Sequence, residues 1–209
     1  MKKLIKYISI IYLIFTLPIT ILYLQSGWLR YIFMQRVTYL KSRLIGVETV
    51  RLGDSITTAG MNFFMPFETL NYGANGLLTY QIANTFPDRG EKYKILGITA
   101  GTNDVIRDNF EIKNFEKDYK YLLNKTSSTK AKIIINLIPL TEIPELNLKI
   151  NESNLLITDL AKNYDVCVVD INKKIAPNGI LLEEFSDDGV HLSKKAYKKW
   201  EEVRIKNCN

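Results

Sequence analysis

Residues 132–138 read KIIINLI and stop at Pro139, and no other stretch constrains the fold so tightly. A run that is apolar at nearly every position, and too short for an independent helix, suits a strand covered on both faces. Such strands sit inside parallel sheets flanked by helices. Four further runs read as strands: 48–52 ending at Gly53, 68–72 ending at Gly73, 94–100 ending at Gly101, and 165–170 (DVCVVD). Helical spacing occupies 79–86, 110–123, 151–163 and 193–206 between and after them. This alternation predicts a three-layer α/β fold with a mostly parallel five-stranded sheet, formed by a domain over 46–209.

Ligands of such sheets bind beyond the carboxyl ends of the strands. The glycine-rich segments after the first three strands are therefore expected in one crevice. They are Gly53-Asp54-Ser55, Asn71-Tyr72-Gly73-Ala74-Asn75-Gly76 and Gly101-Thr102-Asn103-Asp104.

Ser55 alone fits a helix N-cap. A serine hydroxyl becomes a nucleophile only when a base takes its proton. His191 is the one histidine in the chain and lies on a polar turn, three residues after Asp188. That spacing lets the carboxylate hold one ring nitrogen while the other faces a hydroxyl. Asp187 is a rival one residue further away. An acyl-transfer site also needs donors for its oxyanion. The N–H of Ser55, the N–H of Gly73 and the side-chain amide of Asn103 are the candidates, whereas Asn75 and Asp104 read as turn formers.

These residues resemble the SGNH/GDSL hydrolases. Gly53-Asp54-Ser55-Ile56-Thr57 is similar to the first block of that family, Asn71–Gly76 to the second, Gly101–Asp104 to the third and Asp188-Gly189-Val190-His191 to the last, in family order. The resemblance implies a flavodoxin-like sheet and a serine esterase. It implies Ser55 as nucleophile, Asp188 and His191 as the rest of a triad, and Ser55, Gly73 and Asn103 as the oxyanion hole. No metal or organic cofactor is expected. The reaction expected is double displacement through an acyl-enzyme, on an ester borne by a lipid, a glycan or a small molecule. Two alternatives remain: an O-acyltransferase acting on envelope glycans, and an inactive membrane-tethered binding domain.

Charge bears on partners. The net charge is +6, but residues 1–45 hold seven basic residues and no acid, leaving 21 basic against 22 acidic residues beyond them. The domain itself is nearly neutral, which argues against nucleic acid and for a membrane as partner. Residues 7–29 carry no charge and follow Lys2, Lys3 and Lys6. As a helix they reach roughly 35 Å, against a bilayer core of about 30 Å. A retained transmembrane anchor over 1–29 is favoured over a cleaved signal, because Leu24 occupies a position that wants a small residue. The domain is expected outside the cytoplasm. Over 30–45, Phe33, Val37, Leu40 and Leu44 continue a helical stripe from Leu29. That connecting helix is expected either on the membrane interface or packed on the domain. The apolar stretch 61–67 (MNFFMPF) is expected in the core or along an acyl pocket. Cys167 and Cys208 are expected unpaired, with Cys167 a small buried apolar side chain.

Overall fold

The computed structural model describes residues 27–60, 68–86 and 90–208. All but the last three residues of the expected membrane segment, and the whole of 61–67, lie outside them. Among the described residues no helix is long and apolar enough to cross a membrane.

The five expected strands form as β1 (Val47–Gly53), β2 (Thr69–Asn71), β3 (Tyr93–Thr99), β4 (Lys132–Asn136) and β5 (Val166–Val169). They make one parallel sheet in the order β2-β1-β3-β4-β5. Successive residues of a strand point to opposite faces. Val50, Arg51 and Leu52 are all buried, so both faces of β1 are covered and the molecule has three layers. The helices are α1 (Gly27–Leu44), α2 (Ser55–Ala59), α3 (Thr79–Asn84), α4 (Thr102–Val105), α5 (Ile112–Thr126), α6 (Pro144–Ala161), α7 (Asn172–Ile175) and α8 (Lys194–Asn207).

Helix α6 starts at Pro144, seven residues earlier than its apolar spacing indicates. Proline at the first helical turn loses no hydrogen bond and pre-sets the backbone angle. The early turns face inward through Asn147 as well as Ile150, so a polar residue breaks the apolar spacing there. Asn147 accepts from Thr141 N and donates to Thr141 O, both at 2.8 Å. Asn154 treats Ile138 in the same way, at 2.8 and 2.9 Å, and Asn172 accepts from Leu140 N at 2.8 Å. Three buried amides thus satisfy the extended backbone leaving β4, which no neighbouring strand pairs there.

Two further departures concern charge and sulfur. Arg51 is buried on β1 and forms an ion pair with Glu201 of α8, which also holds Arg204 at 2.7 Å. The cysteines expected to be unpaired form a disulfide, Cys167–Cys208, with Cα atoms 5.9 Å apart. They are 41 positions apart, and the chain between them includes α8, which returns along the sheet and brings its carboxyl end to β5. Distance along the chain hides that return.

Helix α1 packs on the β1–β2 edge, but not through its apolar stripe. Over 33–44 Thr38 and Ser42 are fully buried, while Leu40 and Leu44 stay exposed. Hydrogen bonds draw the polar face inward: Gln35 Nε2 donates to Thr69 O at 3.3 Å and Gln35 Oε1 accepts from Asn71 N at 2.9 Å.

Candidate active site

The sheet order places β1 between β2 and β3, so the segments following those strands flank the turn after β1 on either side. That turn is Gly53-Asp54-Ser55. A side chain on Gly53 would collide with Thr57 and come within 2.7 Å of Thr99 O. Only a residue without Cβ lets the chain turn here straight from strand into α2. Asp54 caps α2 by accepting Ile56 N–H at 2.9 Å, leaving Ser55 as the first helical residue, half-buried, with its hydroxyl at the surface of the crevice. Asp54 itself is fully buried, and burial pushes its carboxyl up to about 6.

His191 Nε2 lies 3.0 Å from Ser55 Oγ, across 136 residues of sequence. His191 Nδ1 lies 2.7 Å from Asp188 Oδ2. The other Asp188 oxygen accepts the N–H of His191 at 2.7 Å and of Val190 at 3.0 Å. These bonds, led by the His191 backbone and side chain, hold the Asp188 carboxyl down at about 2. With an anion on Nδ1, that nitrogen keeps a proton and Nε2 faces the hydroxyl as an acceptor. Asp187 instead gives its N–H to His191 O at 2.9 Å, closing the loop. Gly189, at φ +90°, makes the sharp bend between Asp188 and His191, with its N–H on Ser186 Oγ at 2.7 Å. Its carbonyl accepts Glu142 N–H at 2.8 Å, which ties the histidine loop to the segment held by the three asparagines.

The second and third segments meet the first through hydrogen bonds. Ala74 N–H donates to Gly53 O at 3.1 Å. Asn103 sits at the start of α4 and gives one amide N–H to Leu77 O at 3.0 Å, leaving the second N–H of that amide for a ligand. Asp104 accepts Thr79 N and Oγ1 at 3.0 and 2.8 Å, holding the start of α3 across 25 residues instead of forming the local turn expected of it. Gly73 differs from expectation: its N–H donates to Asn71 Oδ1 at 2.7 Å and is not free for an oxyanion. In the same segment Gly76 takes φ +76°, and among the described residues nothing accepts its N–H. Asn71 is the residue that motif reading underrates. Besides holding Gly73 it donates to Thr57 O at 3.1 Å, bracing the helix that carries Ser55. Tyr197 of α8 braces the same helix through Ile56 O at 2.6 Å. Among the described residues no three of His, Cys, Asp and Glu converge as metal ligands.

A hydroxyl, an imidazole and a carboxylate in one row, beside free N–H groups, can transfer an acyl group. The family model of the GDSL-like Lipase/Acylhydrolase family matches residues 52–199, which hold every residue of that row. The chain belongs to this family. It is accordingly an enzyme of the esterase and acylhydrolase class. No curated protein sequence matches the chain. Solved structures share its fold. One described as a platelet activating factor from Streptococcus pneumonia is 19% identical with a TM-score of 0.68, over 90% of this chain and 97% of that one. A GDSL-like lipase from Bacteroides thetaiotaomicron is 21% identical with a TM-score of 0.64, over 86% and 96%. An acetyl xylan esterase from Geobacillus stearothermophilus is 14% identical with a TM-score of 0.62, over 78% and 95%. At these identities the likeness speaks for the fold alone.

Proposed function

We propose that this acylhydrolase cleaves carboxylic esters through an acyl-enzyme on Ser55. The observation that carries the reading is the continuous row Ser55 Oγ, His191 Nε2, His191 Nδ1, Asp188 Oδ2, with spacings of 3.0 and 2.7 Å at its two hydrogen bonds. His191 takes the Ser55 proton as Oγ attacks the ester carbonyl. The tetrahedral oxyanion is met by the Ser55 N–H at the start of α2 and by the spare amide N–H of Asn103. His191 then returns the proton to the departing alkoxide, and the alcohol leaves. Water attacks the acyl-serine with His191 again as base, and His191 returns that proton to Ser55 Oγ as the bond to the acyl group breaks and the acid is released. Each oxyanion donor is worth about 2.7–4 kcal/mol of barrier.

The Cys167–Cys208 disulfide supports a place outside the cytoplasm, where such bonds persist. The uncharged run over 7–29 supports a membrane anchor. The test uses Ser55→Ala with an aryl acetate, and a fluorophosphonate probe followed by peptide mass analysis. Hydrolysis falling to background, with the probe on Ser55, supports the scheme. Full activity in Ser55→Ala, or an unlabelled Ser55 in folded protein, overturns it. Adding a sugar acceptor to the same assay distinguishes hydrolysis from acyl transfer.

A further inference from the structure

The direction of α1 is set by three levels of contact. Ser42 O accepts Lys92 N–H at 2.8 Å, just before β3 begins. Lys41 pairs with Glu68, just before β2 begins. Gln35 bonds both Thr69 and Asn71, at the carboxyl end of β2. Helix α1 is therefore antiparallel to the sheet. From Gln35 it continues to Gly27, eight residues and about 12 Å further at 1.5 Å per residue. That extension rises past the ends of the strands on the side where Ser55 and His191 lie. The chain passes from there into the uncharged residues 7–29.

The same end of the molecule exposes one large apolar side chain after each of four strands: Tyr80 after β2, Ile106 after β3, Ile143 after β4 and Ile180 after β5, each 42–46% exposed. Ile143 adjoins Glu142, which is bonded to the histidine loop. Exposed apolar residues taken singly are ordinary. Their weight here comes from circling the end at which α1 delivers a segment long enough to span a bilayer.

We propose that the catalytic end of the sheet faces a lipid bilayer, so that Ser55 works on esters presented at that bilayer's surface. The proposal rests on reading 7–29 as a membrane segment and Ser55 as an esterase nucleophile. It differs from the arrangement in which α1 lies flat on the interface through Leu40 and Leu44.

The full-length chain carrying Ile106→Cys, Ile143→Cys or Ile45→Cys, one at a time, is labelled with an environment-sensitive fluorophore. The native cysteines are paired and do not react. Each is reconstituted in phosphatidylcholine vesicles with and without a headgroup-region quencher lipid. Such a quencher reaches groups at the headgroup boundary and leaves groups on the far side of the domain untouched. Labels at 106 and 143 are expected to lose a large part of their fluorescence, and the label at 45, at the far end of the sheet, to keep its own. Quenching at 45 without quenching at 106 and 143, equal quenching at all three, or none at any in a chain that co-floats with vesicles, overturns the proposal. A chain that fails to co-float overturns the membrane segment on which it rests. Hydrolysis of a soluble aryl acetate by the same samples reports separately on Ser55.

Discussion

Asn71 Oδ1 accepts the N–H of Gly73 at 2.7 Å, and this bond takes the expected oxyanion donor out of service. The same side chain holds Thr57 O at 3.1 Å, so one residue joins the second glycine-rich segment to the nucleophile helix. A Cβ on Gly73 would lie 2.9 Å from both Asn71 Oδ1 and Thr57 Cγ2, which shows how closely the two pack.

Asn71→Ala is expected to lower kcat more than it raises KM, by roughly ten-fold, because displacement of a reacting group by a fraction of an ångström slows chemistry more than binding. Two backbone groups lose their partner, so stability should fall by about 1–2 kcal/mol. Steady-state kinetics and a urea midpoint measure the two effects. Wild-type kcat in the variant would show that the bracing does not act on Ser55.

Asp188→Asn keeps the shape of the row but not its charge. It is expected to reduce kcat/KM by roughly 10^2 to 10^4-fold, through loss of the tautomer that presents Nε2 to the hydroxyl. The wild-type carboxyl stands at about 2, below its ordinary 3.8. Its contribution to stability is therefore complete above the ordinary value and is lost only as pH falls through about 2. A kcat/KM profile measured from pH 4 upward should show no limb belonging to Asp188.

Asp54 has the opposite sign. Its buried carboxyl stands at about 6 instead of 3.8, so its stabilising contribution is full below 3.8 and disappears as pH rises through about 6. The difference amounts to something on the order of 3 kcal/mol at 1.36 kcal/mol per pKa unit. Asp54→Asn still accepts Ile56 N–H but does not titrate. Denaturant unfolding at pH 4 and pH 8 should show a smaller pH dependence in the variant, with the gain at pH 8. An unchanged dependence would place the titrating group elsewhere.

The Cys167–Cys208 bond closes a loop of 41 residues, which is worth about 4 kcal/mol in the chain-entropy account. Reduction, or Cys208→Ser, is expected to lower stability by about 2–4 kcal/mol. The bond lies on β5 and the end of α8, away from the catalytic loops, so aryl acetate hydrolysis at room temperature should be retained. Equal urea midpoints for oxidised and reduced protein would contradict this.

The strands were legible because each is a local apolar run with its own stop signal, and burial on both faces of a parallel sheet demands such runs. Ser55, Asp188 and His191 were legible as candidates for a similar reason: Asp188 and His191 are three residues apart, and Ser55 directly follows a strand and a glycine. The start of α6 was not legible, because Asn147 takes an inward position in its first turns, serving the Thr141 backbone where apolar spacing would place an apolar side chain. The fate of Gly73 was equally hidden, since a glycine in a motif does not reveal which neighbour takes its N–H.

By itself the sequence determined the α/β alternation, the loops on which chemistry is carried, and the charge asymmetry of the first 45 residues, because these follow from local periodicity and residue type. Only the tertiary structure decided that Asp188 and not Asp187 meets His191, that Gly73 is engaged by Asn71, that the two cysteines pair, and that α1 buries Thr38 and Ser42 instead of its apolar stripe. The physical reasons are two. The disulfide and the seating of α1 depend on how separate segments pack, while the Asn71–Gly73 and Asp188–His191 bonds span two and three residues and depend on the backbone conformation of their loops. Residue type and local periodicity encode neither.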